Sequence, residues 1–251
     1  MKACQRFVVL TAPRTGSNFL CTLLGSHPEI LCHHEMFNAS GIFCSLDLRS
    51  RSAYYFGTLV DRDRDPEAFL ERMWGASFGH PVVGFKLSRS QNRAAFEAVL
   101  EDREVVKLVM RRRNRVATYV SEMVAQLTGD WESYPGVRLR REPFRIPVPP
   151  RGLCKWVEHD RAWFDHVDRR LEATGQEPLR LEYEDLTADA AGTLGPVLEA
   201  LGLPAEDAVS LVPATRKQSP DDLSCRITNF DELAAALQGT GLEHELEGSA
   251  S

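Results

Sequence analysis

Apolar residues along this chain follow two different spacings, and the two alternate. Short runs rich in β-branched residues predict buried strands, and they cover 6–12, 29–35, 81–86, 104–110 and 179–183. Segments whose apolar residues recur at helical spacing follow or separate these runs, at 19–24, 114–127, 154–174 and 188–201. Strands that alternate with helices predict an α/β protein with a parallel sheet and helices on both of its faces.

Residues 128–152 interrupt this alternation with five prolines and five arginines in 25 residues. Long irregular segments inside a compact domain are commonly lids or binding loops, so we predict that this loop faces the substrate. No internal repeat or linker-like composition divides the chain. We therefore predict one domain over residues 1–240 and a frayed polar tail over 241–251.

The composition, 43% hydrophobic and 26% charged, is that of a soluble globular domain. The apolar runs are far shorter than the ~18 residues of a membrane-spanning helix, and no secretory signal is recognisable, so we expect a cytoplasmic protein. The six cysteines are scattered without CxxC pairs or zinc spacing. We expect reduced thiols and no bound metal.

Charge is distributed unevenly along the chain, whose formal net charge is -6. Residues 1–156 hold 23 Lys and Arg against 16 Asp and Glu, a formal charge of +7, whereas residues 157–251 hold 7 against 20, a charge of -13. A basic N-terminal part on an acidic chain indicates either an anionic ligand or a nucleic-acid surface. Only five of the 30 cationic residues are lysines, so anion recognition would rely mainly on arginine.

The loop after the first strand, Ala12-Pro-Arg-Thr-Gly-Ser-Asn18, has the character of a phosphate cradle. Ligands of open parallel sheets bind beyond the carboxyl ends of the strands. Gly16 permits a tight turn, Thr15 and Ser17 add hydroxyl donors, and the following helix presents its positive end. The loop lacks the Walker A spacing, because the cation Arg14 precedes the glycine. The alternative is an ordinary strand-to-helix turn with a serine cap.

A second candidate anion site follows the strand that ends at Met110, where the chain reads Arg-Arg-Arg-Asn-Arg. Four arginines at a helix N-terminus oppose the helix dipole and one another, which indicates a counter-anion. Arg113 opens the turn, and Ser121 lies eight positions later, close to the same helix face. We predict that these two residues hold a second phosphate, the alternative being a solvated basic helix start.

Two phosphate sites without a Walker lysine describe a nucleotide whose phosphates occupy separate positions. A strand followed by Pro-Arg-Thr-Gly-Ser and a later strand followed by Arg113 and Ser121 resemble the sulfotransferases that use 3′-phosphoadenosine 5′-phosphosulfate. The chain is most similar to the bacterial branch that includes trehalose 2-sulfotransferase and the lipopolysaccharide or sugar sulfotransferases. The resemblance extends through residues 26–38, 83–86, 181–186, 216–218 and 229.

The resemblance implies the P-loop-like sulfotransferase fold and transfer of a sulfuryl group to a hydroxyl of a carbohydrate, glycolipid or other small acceptor. It implies that the first loop binds the 5′-phosphosulfate through Arg14, Thr15, Gly16, Ser17 and Asn18. It also implies that Arg113 and Ser121 bind the 3′-phosphate, while Arg216 and Lys217 close over the nucleotide. Neither a metal ion nor a nucleic acid is expected to bind, and the resemblance allows a homodimer.

A base for the acceptor hydroxyl is expected at the end of the second strand. The resemblance points to Glu35, and we expect burial to raise its pKa toward neutrality. His33 and His34 are alternatives, because the cytosolic branch uses histidine; strand alternation would place His33 on the same side as Glu35. Lys86, which ends the third strand, either approaches the reacting groups or faces solvent.

Other interpretations stay open at this stage. Trp131, Tyr134 and Trp156 flank the 128–152 loop and either form a platform for a sugar or are simply packed. A P-loop kinase would need the Gly-Lys-Ser/Thr sequence, which this chain lacks. The net negative charge of the chain argues against a nucleic-acid-binding module. A nucleotide-binding protein without catalysis is the remaining alternative.

Overall fold

A single parallel sheet organises the chain. The computed structural model describes residues 4–49, 56–131, 144–215 and 222–246. Five strands pair in parallel in the order β2-β3-β1-β4-β5. They are β1 (Gln5–Thr11), β2 (Ile30–Glu35), β3 (Val82–Ser88), β4 (Val105–Arg111) and β5 (Leu179–Glu182). The α/β fold class predicted from the sequence is confirmed.

Helices connect the strands and cover both faces of the sheet. They are α1 (Ser17–Leu24), α2 (Leu59–Arg64), α3 (Pro66–Gly75), α4 (Arg93–Glu101), α5 (Arg115–Thr128), α6 (Pro150–Ala173), α7 (Tyr183–Ala188), α8 (Ala190–Ala200) and α9 (Phe230–Leu237). The helix predicted over 154–174 begins earlier, with Pro150 at a position where a missing N–H costs nothing. The helix predicted over 188–201 begins at Ala190, because the Asp189 carboxylate caps it by accepting from the Gly192 N–H at 2.9 Å.

Alternating residues of β1 divide the core into two layers. Val8 and Leu10 pack on the face that α3 and α6 cover, whereas Phe7 and Val9 pack on the face that α1 and α8 cover. A third apolar cluster joins α5, α6 and α9. All of these strand residues are fully buried, so the sheet is a rigid platform whose carboxyl edge carries the loops described below.

Residues 241–246 pack against the body of the protein, which differs from the frayed tail predicted from residue 241. Leu242 and Leu246 are buried in the third apolar cluster, and the Glu245 carboxylate pairs with the Arg115 guanidinium at the start of α5. Residues 247–251 and the segment 132–143 of the predicted loop lie outside the described residues. Within the described ranges, no helix combines the length and apolar character that a membrane crossing requires.

Candidate active site

A large cavity opens at the carboxyl edge of the sheet, where the loops that follow β1 to β5 converge. Its volume is about 1270 Å³, more than the roughly 300–1,000 Å³ of a pocket for one drug-sized ligand. The space therefore suits two substrates side by side. Its walls come from residues 13–14, 16–19, 35, 37–40, 86, 88–92, 112, 121, 129–131 and 183, among others.

The turn between β1 and α1 has an unusual backbone. Arg14 and Gly16 both adopt positive φ, at 64° and 85°. A Cβ at Gly16 would lie 2.2 Å from Cδ2 of Tyr183, so the glycine is required by both backbone conformation and space. Ser17 and Asn18, the first residues of α1, line the cavity directly after this turn. The N-terminal end of the α1 dipole thus lies at the cavity wall.

Thr15 stands apart from the other predicted members of this loop. Its side chain is buried, and its hydroxyl contacts the Thr11 hydroxyl and donates to the Ala12 carbonyl at 3.1 Å. Thr15 is absent from the cavity wall formed by the described residues. Its hydroxyl therefore holds the turn on the end of β1 instead of presenting a donor to a ligand.

Replacing Gly16 with alanine tests whether the turn is as tight as it looks. We expect Gly16→Ala to lower the free energy of unfolding by about 1–3 kcal/mol, because the new Cβ forces the Tyr183 ring aside and strains a positive-φ residue. Thermal unfolding measures this loss. Gly175→Ala is the matched control, since Gly175 has φ 64° and no atom within 4 Å of its added Cβ. Equal losses would leave only backbone strain and contradict the crowding at Tyr183.

Arg14 joins the two predicted phosphate sites. Its Nε donates to the Ser121 hydroxyl on α5 at 2.9 Å, and its Nη1 donates to the Trp131 carbonyl just beyond α5. Ser121 itself is buried and lines the same cavity. The two sites are therefore adjacent parts of one basic wall.

The structure places Arg112, and not the predicted Arg113, at the cavity wall. Arg113 points away from the cavity wall, with its side chain 53% exposed and its guanidinium bound to both oxygens of Asp185 at 2.9 and 2.7 Å. Arg112 lines the cavity instead, and its guanidinium lies 4.8 Å from the centroid of the Tyr183 ring. Its buried Nε has no hydrogen-bond partner in the described part of the chain. The predicted pairing of Arg113 with Ser121 is thus not what the fold produces.

A third arginine lies behind this wall and was not identified from the sequence. Arg226 is 4% exposed, and its pKa is lowered to about 10 by burial first and then by the nearby Arg112 and Arg14 guanidinium groups. No described carboxylate pairs with its side chain. The sequence around Arg226 gives no sign that it lies near the cavity, because only folding brings this residue close to Arg14 and Arg112. Three guanidinium groups close together repel one another, so the binding of an anion between them is electrostatically favourable.

Glu35, at the end of β2, lines the same cavity and is held by three donors. Its Oε1 lies 2.8 Å from Lys86 Nζ, and its Oε2 accepts from the amides of Asn38 at 2.5 Å and Gln91 at 2.9 Å. Burial acts to raise the Glu35 pKa, but the Lys86 ammonium and the three hydrogen bonds outweigh it and lower the pKa below its ordinary value. The expected rise toward neutrality is therefore wrong.

A β-bulge separates His33 from Glu35 and cancels the alternation on which the sequence prediction relied. His33 is opposite Phe85 in β3, whereas Glu35, two residues later, is opposite the next residue, Lys86. His33 is fully buried with its ring edge-on to Phe56, and burial lowers its pKa to about 3. It faces the core and not the cavity, so the structure does not support a catalytic His33.

His34, the extra residue of the bulge, is also buried, and burial lowers its pKa well below 6.5. Its Nδ1 lies 3.4 Å from the Asn18 amide oxygen, which also accepts a hydrogen bond from Lys86 Nζ. The Lys86 side chain is only 3% exposed, which excludes the solvent-facing alternative. Lys86 thus bridges the first turn of α1 and the Glu35 carboxylate.

Arg89 anchors the loop after β3 beneath the cavity. Its Nη1 donates to Asp160 at 2.7 Å, and its guanidinium lies 5.3 Å from the centroid of the Trp156 ring. The Trp156 indole donates to Glu122 at 3.1 Å, so Trp156 is a packed residue and not a sugar platform. Trp131 does line the cavity, whereas Tyr134, Arg216 and Lys217 lie outside the described residues. In the described ranges, no group of His, Cys, Asp and Glu side chains is arranged to hold a metal.

Comparison with known proteins gives a family match and several similar proteins. Residues 6–207 match the model of the Sulfotransferase family. Nodulation protein H of Rhizobium tropici is 28% identical over 249 residues, which cover 94% of this chain and 90% of that protein. Nodulation protein H of Rhizobium meliloti (strain 1021) is 28% identical over 236 residues, covering 91% and 90%. A crystal structure of a sulfotransferase from Alicyclobacillus acidocaldarius aligns with TM-score 0.48 and 17% identity over 96% of this chain and 95% of that chain.

The family match covers the sheet from β1 to β5 and every loop that forms the cavity wall except the segments beyond residue 207. A match of this extent decides the assignment. The chain belongs to the Sulfotransferase family.

Proposed function

We propose that this enzyme transfers the sulfuryl group of 3′-phosphoadenosine 5′-phosphosulfate to a hydroxyl of a carbohydrate, glycolipid or similar small acceptor. The observation that carries the proposal is that one cavity is lined by both an arginine wall and a lysine-bound carboxylate. The first suits a donor with several negative charges. The second suits an acceptor that must lose a proton.

The donor would lie along the arginine wall. The turn over residues 13–18, with Arg14 and the start of α1, suits the 5′-phosphosulfate. Arg112, Ser121 and the underlying Arg226 suit the 3′-phosphate, because an arginine fork and a hydroxyl are strong phosphate donors. A bound phosphate would also relieve the mutual repulsion of the three guanidinium groups.

The acceptor would occupy the other part of the cavity, next to Glu35. Phe37 and Phe43, from the chain that follows Glu35, supply aromatic surface there, and the Asn92 amide nitrogen supplies a donor. Aromatic faces combined with a few polar groups suit a sugar ring, which has apolar faces and hydroxyl edges. We further assign the enzyme a cytoplasmic location and no nucleic-acid partner, and a homodimer remains a prediction.

Sulfuryl transfer resembles phosphoryl transfer, so the enzyme contributes mainly position and charge stabilisation. The Glu35 carboxylate accepts the acceptor's hydroxyl proton as the new O–S bond forms. Because its pKa is lowered, Glu35 is ionised at neutral pH and ready to accept that proton. As the bond from sulfur to the bridging oxygen breaks, the Arg14 guanidinium stabilises the charge on that oxygen without donating a proton. The leaving group is 3′-phosphoadenosine 5′-phosphate, and no metal is required.

Calorimetry with two nucleotides tests the donor assignment. We expect 3′-phosphoadenosine 5′-phosphate to bind more tightly than ADP. Arg112→Ala should weaken the first by roughly 1.5–3 kcal/mol, the range for a hydrogen bond to a charged group, and leave ADP nearly unchanged. Arg113→Ala is the matched control, because Arg113 is exposed and already bound to Asp185. Equal affinity of the wild-type protein for both nucleotides would contradict a 3′-phosphate site, and a loss only in Arg113→Ala would return that site to Arg113.

A further inference from the structure

Arg62 is a buried arginine at the cavity wall that the proposed chemistry does not use. It lies in α2, is 1% exposed, and none of its neighbours on that helix is equally buried. Its Nη1 donates to the main-chain carbonyls of Met36 at 3.1 Å, Asn38 at 2.7 Å and Gly41 at 3.1 Å. Its Nε donates to Asp63 at 2.8 Å. Arginine is almost never fully buried unless its donors are satisfied, so these bonds account for its place.

The three carbonyls belong to one loop, residues 36–41, which begins immediately after Glu35. Inside this loop the Asn38 amide oxygen accepts from the Ser40 N–H at 2.9 Å and from the Ser40 hydroxyl at 2.7 Å. The orientation of the amide is therefore fixed. Its nitrogen can only point the other way, and there it donates to Glu35 Oε2 at 2.5 Å.

We propose that Arg62 is a positioning residue for the sulfuryl-transfer step: it fixes the 36–41 loop so that Asn38 holds the Glu35 carboxylate in its reactive position. The inference rests on the proposed role of Glu35 as the base. The other contacts of Glu35 come from β3 and the loop after it, through Lys86 and Gln91. Asn38 is the contact that depends on the 36–41 loop, and Arg62 acts through it.

The same contacts decide how the pH dependence should respond. Lys86 faces Glu35 from β3, Gln91 from the following loop and Asn38 from its own loop, and the adjacent His34 is neutral because burial lowers its pKa. Freeing the 36–41 loop removes the Asn38 hydrogen bond, which acts to lower the Glu35 pKa. The pKa of Glu35 then rises, and the acidic limb of the pH profile moves to higher pH.

Steady-state kinetics of three variants across pH test the inference. In Arg62→Gln we expect kcat to fall about 10- to 100-fold, the scale of a misplaced catalytic group, with an unchanged KM for the donor. The acidic limb of kcat should shift upward. Arg62→Lys keeps the charge but not the fork, and should recover part of kcat and part of the shift. Arg64→Gln makes the same change on the same helix at an exposed arginine paired with Asp61, and should behave as wild type.

The outcomes separate positioning from mere structural support. A wild-type kcat and pH profile in Arg62→Gln would overturn the inference, and so would a loss with no shift of the acidic limb and no recovery in Arg62→Lys. If Arg62→Gln does not fold, the double variant of Arg62→Lys and Asn38→Ala is compared with the two single variants. If the two losses in kcat are not additive, Arg62 acts through Asn38; additive losses overturn the inference. Glu35→Gln is assayed alongside; if it keeps wild-type turnover, the base assignment fails, whereas if it is inactive and Arg62 variants are normal, only the present inference fails.

Discussion

Glu35→Gln should abolish most turnover while nucleotide binding stays intact. The change keeps the size and the hydrogen-bonding edge of the side chain but removes the charge that Lys86 Nζ contacts at 2.8 Å. A neutral amide cannot accept the hydroxyl proton, so kcat should fall by about 10²- to 10⁴-fold, the usual contribution of a general base. The described contacts of the Glu35 carboxylate are Lys86, Asn38 and Gln91 and none of the arginines of the wall, so calorimetry with 3′-phosphoadenosine 5′-phosphate should give the wild-type affinity.

Asp130→Asn provides the matched control for that experiment. Asp130 lines the same cavity and loses the same charge in the variant, but it is an exposed residue beyond α5. We expect at most a severalfold change in kcat. A comparable loss in both variants would mean that the cavity's overall charge matters and the base does not. Full turnover in Glu35→Gln would remove the carboxylate from the mechanism altogether.

The fold could be predicted from the sequence because its signals are local. Each strand is a short apolar run, and the start of α1 is marked by Gly16, whose positive φ few other residues tolerate. The sequence-based prediction was wrong at the C-terminal end, where contacts with distant residues decide which residues are buried. Leu242 and Leu246 look like part of a polar tail until α5, α6 and α9 supply the apolar surface that buries them.

The site could be predicted only in part, for the same reason. Both segments that the sequence analysis assigned to phosphate binding line the cavity, yet which arginine faces inward depends on Asp185, which binds Arg113, and on Tyr183, against which Arg112 packs. The bulge at His34 could not be predicted from the alternation of side chains along a strand, and because of it His33 lies in the core. The lowered pKa of Glu35 depends first on the Lys86 ammonium of the neighbouring strand and then on the amides of Asn38 and Gln91, and no local spacing rule brings Lys86 and Gln91 to this carboxylate.

Part of the basic charge of the N-terminal part of the sequence lies at the cavity wall. Arg14 and Arg112, with Arg226 behind them, form a wall where a polyanionic donor is favoured, and one of the three comes from the acidic C-terminal part of the chain. Part of the remaining basic charge is paired within the fold. Arg113, Arg115 and Arg111 are instead bound to carboxylates of residues 168, 184–185 and 245.

Lys86→Met should reduce both activity and stability, and the stability loss should depend on pH. The variant leaves the Glu35 carboxylate without its ammonium partner in a mostly buried place. Breaking such a pair costs about 3 kcal/mol at neutral pH, the lower end of the range for buried pairs, because the Glu35 side chain keeps 24% of its surface exposed. We also expect kcat to fall about 10²-fold, since the base is no longer held in place.

The sign of the pH dependence follows from the Glu35 pKa. In the wild-type protein this pKa is lowered, so the group stabilises the fold above its ordinary pKa, and that stability is lost as pH falls through the lower folded-state value. Without Lys86, burial prevails and raises the pKa, so the variant is penalised at neutral pH and relieved in acid. Urea unfolding across pH should therefore show a wild-type advantage that is full at neutral pH and shrinks as pH falls, first through the raised Glu35 pKa of the variant and then through the lowered pKa of the wild type.

Lys107→Met distinguishes this effect from the simple loss of a buried lysine. Lys107 is also buried, but its Nζ donates to the Asp102 carbonyl and the Gln176 amide oxygen, neither of which is part of the cavity wall. We expect Lys107→Met to leave kcat and its acidic limb unchanged whatever it does to stability. If the wild-type advantage over Lys86→Met is the same at every pH, Lys86 does not govern the ionisation of Glu35, and the carboxylate must owe its lowered pKa to the Asn38 and Gln91 amides alone.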